Sequence, residues 1–385
     1  MMTIFKAPPL DSVDHVVLAE IHGMRRALAS HLRAPRRWQG SLRRTMLARA
    51  IRGSNSIEGY VVDEDDAAAA LDDVDPLSAD ALTFAEIRGY RQALGFVLQM
   101  AADPHFDFDT SSLRSMHYMM LSHDLAKSPG QYRTGPIYVR DDKTGQVVYE
   151  GPLASQIPAL VSELALSLRE NSQADAVVRA AMAHLNLVMI HPFRDGNGRM
   201  ARALQTQVLS RDAIVEPAFS SIEEWLGHNA DDYYRVLACT GQGAWHPERD
   251  AHHWVAFNLR AHHMQAQTIA GRIKETGAIW EEIDHLVTSH GLPERVSDLL
   301  FDAINGYRLR RSTYVKSTGI EERTASRDLG RLVDEGLLRP VGETKGRHYV
   351  ATHAVLHIRR QVRGRRDELT DPYPHLRAEL VQQTS

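Results

Sequence analysis

Twelve consecutive residues, HPFRDGNGRMAR at 191–202, combine a histidine, a carboxylate, two glycines around an asparagine and two arginines. Glycines at the start of a helix let its backbone N–H groups approach a ligand closely, and a helix N-terminus attracts anions. Arg199 and Arg202 are three residues apart, so they project from one helix face and can bind phosphate oxygens. The segment therefore favours a polyphosphate ligand.

Phosphate binding alone would not require Asp195 or His191, so these two residues point to additional chemistry. Mg²⁺ binds through one or two carboxylates together with substrate phosphates, so Asp195 predicts a magnesium ion. A histidine with a pKa near ~6.5 can take a proton from a hydroxyl group at neutral pH, which is the role predicted for His191. The alternative, a structural histidine beside a common glycine turn, does not explain the joint spacing. Together these residues predict group transfer from a nucleotide to a hydroxyl.

Two helices are predicted to position this segment. Apolar residues from Val177 onward recur with helical spacing and predict a helix that buries one face and ends at His191. Pro192 disfavours a helical conformation at the preceding residue, whereas Asn197 is predicted to cap a second helix. The candidate chemistry is therefore expected on a tight loop between two helices.

The rest of the chain predicts a mainly α protein with a distinct C-terminal part. IYVR (137–140) and VVYE (147–150) predict a β-hairpin around the turn residues DDKTGQ. The acidic, alanine-rich stretch 63–75 predicts a solvated helix or loop. After Gly291, three helical patterns and two strands around ETKG predict a winged helix-turn-helix, an α+β domain. The predicted regions are 1–105, N-terminal and helical; 106–285, the core and following helices; 286–358, the winged helix; and 359–385, a basic tail.

Residues 191–202 match the HxFx[D/E]GNGRxxR signature of the Fic (Fic/Doc) family at every fixed position. The chain resembles this family over residues 50–260, including PGQYR (129–133) and the predicted hairpin. The resemblance implies a Fic-type helical core in which the hairpin is a flap that aligns a target segment by strand addition. It also implies that His191 deprotonates a Ser, Thr or Tyr hydroxyl, which attacks the α-phosphate of ATP, expels pyrophosphate and receives AMP.

The resemblance further assigns the nucleotide-binding residues. These are Gly196, Asn197, Gly198, Arg199 and Arg202, with Asp195 as the ligand of Mg²⁺ on the α- and β-phosphates. The glycine–asparagine loop would cradle the phosphates, the arginines would bind the β/γ portion, and Phe193 would anchor the loop in the core. The kinase-like Doc branch typically has lysine at the second motif glycine. Gly198 therefore favours adenylylation over phosphotransfer.

A second match lies in SNSIEGY, residues 54–60. Ser54, Glu58 and Gly59 resemble the [S/T]xxxE[G/N] inhibitory motif of Fic proteins whose inhibitory helix precedes the core. The resemblance implies an ion pair between Glu58 and Arg202 that occupies the γ-phosphate site and prevents in-line attack. Taken alone, Gly59 would indicate only the end of a helix. Some members of this group also use the glutamate to remove AMP, and that alternative stays open.

Two further features have competing interpretations. DDYYRVL (231–237) resembles a tyrosine-bearing helix near the nucleotide base, which makes Tyr233 and Tyr234 candidate adenine contacts, with core packing as the alternative.

The third winged-helix pattern carries the polar and basic residues Arg323, Thr324, Ser326, Arg327 and Arg331. These residues leave two interpretations open, contacts to DNA phosphates and base edges or a module for protein interaction or dimerisation. The formal net charge is −4, but residues 287–385 hold 17 Lys and Arg against 13 Asp and Glu.

Composition limits the remaining classes. No stretch approaches the ~20 apolar residues of a membrane span, and the first residues lack the features of a signal peptide, so a cytoplasmic protein without a membrane partner is expected. The single cysteine, Cys239, excludes an internal disulfide framework.

Taken with the family resemblance, the sequence predicts a self-inhibited protein adenylyltransferase that uses ATP and Mg²⁺. AMP removal, phosphotransfer and a nucleotide-sensing, DNA-binding transcriptional regulator are the alternatives, and self-modification and homodimer formation stay open.

Overall fold

Helices dominate the fold, as the apolar spacing predicts. The computed structural model describes residues 4–33, 35–140, 144–170, 174–211, 216–343, 346–364 and 366–384. Its helices are α1 (Ser12–Arg33), α2 (Gln39–Ile57), α3 (Glu64–Asp72), α4 (Ala81–Ala101), α5 (Thr110–Leu121), α6 (Ile157–Glu170), α7 (Ala176–Ile190), α8 (Asn197–Ser210), α9 (Pro217–Ser220), α10 (Glu223–His228), α11 (Ala230–Gly241), α12 (His252–Ser289), α13 (Ser297–Ile304), α14 (Arg311–Thr318), α15 (Glu322–Asp334), α16 (His353–Arg363) and α17 (Leu376–Thr384). Its strands are β1 (Tyr138–Arg140), β2 (Val147–Glu150), β3 (Gly243–Ala244), β4 (Leu338–Val341) and β5 (His348–Ala351). The mainly α prediction is confirmed.

The predicted hairpin is present and belongs to a small sheet. β1 pairs antiparallel with β2, with Tyr138 opposite Glu150, and β2 pairs parallel with β3, with Tyr149 opposite Gly243. The third strand carried no sequence prediction because two residues are too few to show a period. Residues 141–143 of the predicted turn lie outside the described residues. The sheet order β1-β2-β3 leaves β1 as an outer strand.

The C-terminal elements follow the predicted order of three helices and two strands. α13, α14 and α15 precede β4 and β5, which pair antiparallel from Leu338 opposite Ala351 to Val341 opposite His348. Residues 344–345 of the predicted turn lie outside the described residues. The segment predicted as a basic tail is packed rather than extended, because Leu380 of α17 is buried against α11.

Two hydrophobic clusters hold the helices together. The larger cluster includes Leu185 and Ile190 of α7 and Leu204 of α8, all fully buried. The second joins α12 and α13 to Leu42 and Met46 in the N-terminal half of α2. Since α2 ends beside the α7–α8 loop, this one helix links the C-terminal elements to the candidate site.

The acidic stretch at 63–75 differs from its prediction. It forms α3, but the side chains of residues 67–70 are buried, so the prediction of a solvated segment is wrong. Asp66 is also buried, and its carboxylate accepts hydrogen bonds from the backbone N–H groups of Leu77 (2.6 Å), Ser78 (2.9 Å) and Ala79 (2.9 Å). A buried carboxylate is tolerated when backbone donors satisfy it, which charge counting along the chain does not show.

Within the described ranges, none of the helices has both the length and the apolar composition that a membrane crossing requires.

Candidate active site

The loop between α7 and α8 has the predicted helix–loop–helix geometry. His191 ends α7 in the left-handed region, with φ 50°, and donates its backbone N–H to the Leu187 carbonyl at 3.0 Å. The predicted cap is corrected by one residue: Gly196, with φ 75°, is the N-cap of α8 and Asn197 is its first residue. A positive φ suits glycine because it has no Cβ.

Asn197 closes the loop instead of capping the helix. Its side-chain oxygen accepts the Phe193 backbone N–H at 2.9 Å, and its side-chain nitrogen donates to the Phe193 carbonyl at 3.0 Å. Phe193 is fully buried, as predicted for an anchor. The buried amide therefore satisfies backbone groups that a tight loop leaves without helical partners.

His191 is held in one tautomer. Its Nδ1 lies 3.0 Å from the Val188 carbonyl oxygen, which can only accept, so Nδ1 carries the proton and donates it. The lone pair of Nε2 is then available to take a proton. Burial lowers the pKa of His191 below its ordinary value, so the ring is neutral at pH 7.

Arg133 joins this loop to the hairpin. Its guanidinium donates to the carbonyls of His191 (2.8 Å), Gly135 (2.7 Å) and Pro152 (2.6 Å), and its backbone N–H donates to Pro192 (2.9 Å). Gly135 precedes β1 and Pro152 follows β2. One side chain thus fixes both ends of the hairpin relative to the histidine.

His117 of α5 supports the opposite side of the loop. Its ring stacks on Phe193, with centroids 3.7 Å apart and planes at 4°. Nδ1 accepts the Gly130 N–H at 2.8 Å, so Nε2 donates to the Asp195 carbonyl at 2.9 Å. Burial lowers the pKa of His117 to about 4, so it keeps this neutral donor–acceptor arrangement at pH 7.

The predicted ion pair between Glu58 and Arg202 is present. Arg202 Nη2 lies 2.7 Å from Glu58 Oε1, and the same guanidinium donates to the Ser54 hydroxyl (2.7 Å) and carbonyl (2.9 Å). Glu58 is the C-cap of α2, which Gly59 terminates with φ 84°. A Cβ added at Gly198 would clash with Glu58 Oε1. The carboxylate therefore lies directly over the first turn of α8.

Arg199 has a different carboxylate partner that no motif predicted. Its Nη1 lies 2.5 Å from Oε2 of Glu86, a fully buried residue of α4, and its guanidinium lies over the Tyr60 ring at 5.2 Å. Although burial opposes it, the charge of Arg199 lowers the pKa of Glu86 to about 2. Lys127 completes the group by contacting both Glu86 Oε1 (2.5 Å) and Asp195 Oδ2 (2.8 Å).

The tyrosines of α11 occupy different environments. Tyr233 is buried, and its hydroxyl lies 2.9 Å from Nε2 of His184, whose Nδ1 contacts Gln205 at 2.5 Å. Burial lowers the pKa of His184 to about 3, so this is a hydrogen-bonded core histidine. Tyr234 is 48% exposed, and its hydroxyl donates to the carbonyl of Ile57 at 3.0 Å. Only Tyr234 therefore offers a ring face at the surface, beside the end of α2.

The site residues fit an anionic ligand and a hard cation. Arg202 Nη1 and Arg199 Nε are buried and have no hydrogen-bond partner among the described residues. Buried donors of this kind are costly unless a ligand satisfies them, and both adjoin the N-terminal turn of α8. Asp195 is 40% exposed at its side chain and offers the oxygen ligands that Mg²⁺ prefers.

Comparisons with known proteins agree with this geometry. Residues 107–209 match the sequence profile of the Fic/DOC family. Protein adenylyltransferase fic-1 of Caenorhabditis briggsae is 25% identical over 248 residues, covering 62% of this chain and 45% of that protein. Protein adenylyltransferase Fic of Culex quinquefasciatus is 31% identical over 151 residues, covering 39% of this chain and 29% of that protein. The chain thus spans less than half the length of these curated relatives.

Solved structures show the same fold. A Fic family protein from Desulfovibrio desulfuricans G20 superposes with a TM-score of 0.58 at 23% identity, covering 90% of this chain and 98% of that one. Fic-1 from Caenorhabditis elegans superposes with a TM-score of 0.53 at 21% identity, covering 68% and 73%. The sequence match at residues 107–209 and the shared fold thus both relate this chain to proteins of the Fic/DOC family.

Proposed function

We propose that this protein transfers AMP from ATP to the hydroxyl group of a Ser, Thr or Tyr side chain in a protein target. The observation that carries the proposal is the α7–α8 segment, in which His191, with its Nε2 lone pair available, is followed on the next helix by Arg199 and Arg202, each with a buried donor that has no partner among the described residues. A base next to a polyphosphate site is what transfer to a hydroxyl requires. The names of the curated relatives, protein adenylyltransferases, support the same reaction.

The residues divide the reaction between them. His191 Nε2 accepts the proton of the target hydroxyl, whose oxygen forms a bond to the α-phosphorus of ATP while the bond to pyrophosphate breaks. Arg199, Arg202 and the N-terminal N–H groups of α8 stabilise the negative charge of the departing pyrophosphate. Mg²⁺ held by Asp195 would supply further positive charge at the phosphates.

Glu58 keeps this site closed in the proposed function. Its carboxylate contacts Nη2 of Arg202 and occupies the space above Gly198. A phosphate cannot occupy the same positions, because the carboxylate and the phosphate are both anions and repel each other. The Glu58 side chain is 27% exposed, so it can rotate into solvent while Ser54 keeps its bonds to Arg202. Release of the site thus requires a side-chain movement rather than unfolding of α2.

The hairpin is the proposed docking site for the target. β1 is the outer strand of its sheet and can accept one more strand through backbone hydrogen bonds. Tyr138 (45%) and Val147 (47%) are exposed on the hairpin, which offers apolar contacts for flanking side chains. Arg133 fixes the hairpin to His191, so a target strand on β1 would present its hydroxyl near the base.

A second candidate function concerns the C-terminal elements, which we propose form a winged helix-turn-helix at residues 286–358. Arg323 and Arg327 are exposed on α15, the helix that would enter a DNA groove. In this alternative, the core at residues 106–285 only senses nucleotide and the winged helix regulates transcription. Salt-dependent DNA binding without label transfer to protein would favour it.

Transfer from labelled ATP tests the proposal. The Glu58→Gly variant would be incubated with Mg²⁺ and ATP labelled at either the α- or the γ-phosphate, alone and with a cell lysate. Protein-bound α-label alone is the expected result. Protein-bound γ-label would indicate phosphotransfer, and no protein-bound label together with DNA binding would indicate the regulator. Loss of α-label on longer incubation would indicate removal of AMP.

The pH dependence of transfer follows from His191. The base works only when neutral, so the rate is constant above its pKa and falls as the pH drops through that value. Because burial lowers this pKa, the decline is expected below pH 6.5 rather than above it. Initial rates of α-label transfer by Glu58→Gly between pH 5 and 8 would measure it. A rate already halved at pH 7.5 would contradict the assigned environment of His191.

A further inference from the structure

Lys127 lies between the two carboxylates of the site. Its Nζ is 2.5 Å from Glu86 Oε1, 2.8 Å from Asp195 Oδ2 and 3.4 Å from the Tyr60 hydroxyl. It is the last residue of a short 3₁₀ turn, residues 125–127, that precedes the hairpin. An ammonium shared by two carboxylate oxygens occupies the kind of position in which proteins bind a metal cation.

Both carboxylate oxygens of Asp195 already have partners. Oδ1 accepts the Gly196 backbone N–H at 2.6 Å, and Oδ2 contacts Lys127. A divalent cation that binds Oδ2 is repelled by the ammonium on the same oxygen and therefore competes with it. Lys127 can keep its contact with Glu86 Oε1 when it leaves Asp195, because Arg199 holds Glu86 in place through the other oxygen, Oε2.

The local charges make bare metal binding unfavourable. Glu86 and Asp195 contribute two negative charges, and Lys127 and Arg199 contribute two positive charges, so these four side chains sum to zero. His123 is a further neighbour, with its Nε2 3.2 Å from Glu86 Oε1. A free divalent cation gains little attraction from a neutral cluster, whereas a cation that arrives on nucleotide phosphates brings its own negative charge. Removing Lys127 would leave a net charge of −1.

We propose that Lys127 is a tethered cation that holds Asp195 in the nucleotide-free protein and excludes free divalent ions from it. The site then accepts the metal together with the nucleotide, while Lys127 moves fully onto Glu86. The inference rests on the proposed function, in which Asp195 is the metal ligand. It adds a positioning residue that selects the metal–nucleotide complex over the metal alone.

Binding of Mn²⁺ without nucleotide tests this inference without using enzyme activity. Free Mn²⁺ would be measured by its electron paramagnetic resonance signal in wild type, Lys127→Met and Lys127→Gln. Lys274→Met is a matched control because its ammonium is exposed and pairs only with Asp367 among the contacts described. Both Lys127 variants are expected to bind Mn²⁺ at least about tenfold more tightly than wild type, with Lys274→Met unchanged. Equal or weaker binding by folded Lys127 variants would overturn the inference.

A second substitution locates the ion. Adding Asp195→Asn to Lys127→Met should abolish the gain in Mn²⁺ affinity. If the tight binding persists, the ion lies elsewhere and the inference is wrong. The proposed function is tested by a separate experiment, α-label transfer by Glu58→Gly. The inference about Lys127 can therefore be wrong while the proposed AMP transfer is correct.

Discussion

Replacing Glu58 by glycine is expected to raise the rate of AMP transfer by about ten- to a hundredfold over wild type. Hydrogen bonds to charged groups contribute ~1.5–3 kcal/mol, which corresponds to that range of rates. The substitution frees Arg202 Nη2 and the space above Gly198 while the Ser54 contacts remain. Initial rates of α-label incorporation at saturating ATP would measure the change.

Two control substitutions accompany this prediction: one separates the effect of charge from that of space at Glu58, and the other tests whether the effect is specific to the site. Glu58→Gln keeps the side-chain volume but loses the ion pair, so it should fall between wild type and Glu58→Gly. Glu248→Gly removes an exposed carboxylate outside the site and should leave the rate unchanged. Transfer by Glu58→Gly no faster than by wild type would contradict the closed-site interpretation.

Replacing His191 by alanine in the Glu58→Gly background is expected to lower the rate by ~10²–10⁴, the usual contribution of a general base. Among the residues that the structure describes, the His191 imidazole hydrogen-bonds only to the Val188 carbonyl, so thermal stability should change little. His105→Ala, a substitution of an exposed histidine, is the matched control. Retention of more than about a tenth of the rate would show that another group takes the proton.

The sequence predicted the parts of the site that are local. The α7–α8 loop, its histidine and the arginines of α8 lie within twelve residues, where helical periodicity and proline and glycine preferences are informative. The pairing of Glu58 with Arg202 was also predicted, but only through resemblance, because no spacing rule links residues 144 positions apart.

The remaining features depend on contacts between distant segments. Glu86 precedes Arg199 by 113 positions in an ordinary amphipathic helix, so nothing in its surroundings identified it as a buried partner. The burial of α3 was missed because alanine-rich helices show little apolar contrast, and the donors that satisfy Asp66 follow it by 11 to 13 residues. The N-cap differed by one residue because Asn197 has a stronger use in closing the loop.

The neighbouring tyrosines show a related limit. Tyr233 and Tyr234 are adjacent in sequence, but α11 turns one into the core and the other to the surface. Helical spacing separates buried from exposed positions only when the flanking residues differ clearly in polarity. Which aromatic ring adjoins α2 was therefore available only from the packed structure.

Combining Glu58→Gly with Arg202→Ala tests whether the Glu58–Arg202 ion pair closes the site. If Glu58 acts by holding Arg202, the double variant should lose the gain of Glu58→Gly and transfer α-label no faster than wild type. A double variant as active as Glu58→Gly would instead show that Arg202 neither binds the nucleotide phosphates nor mediates inhibition.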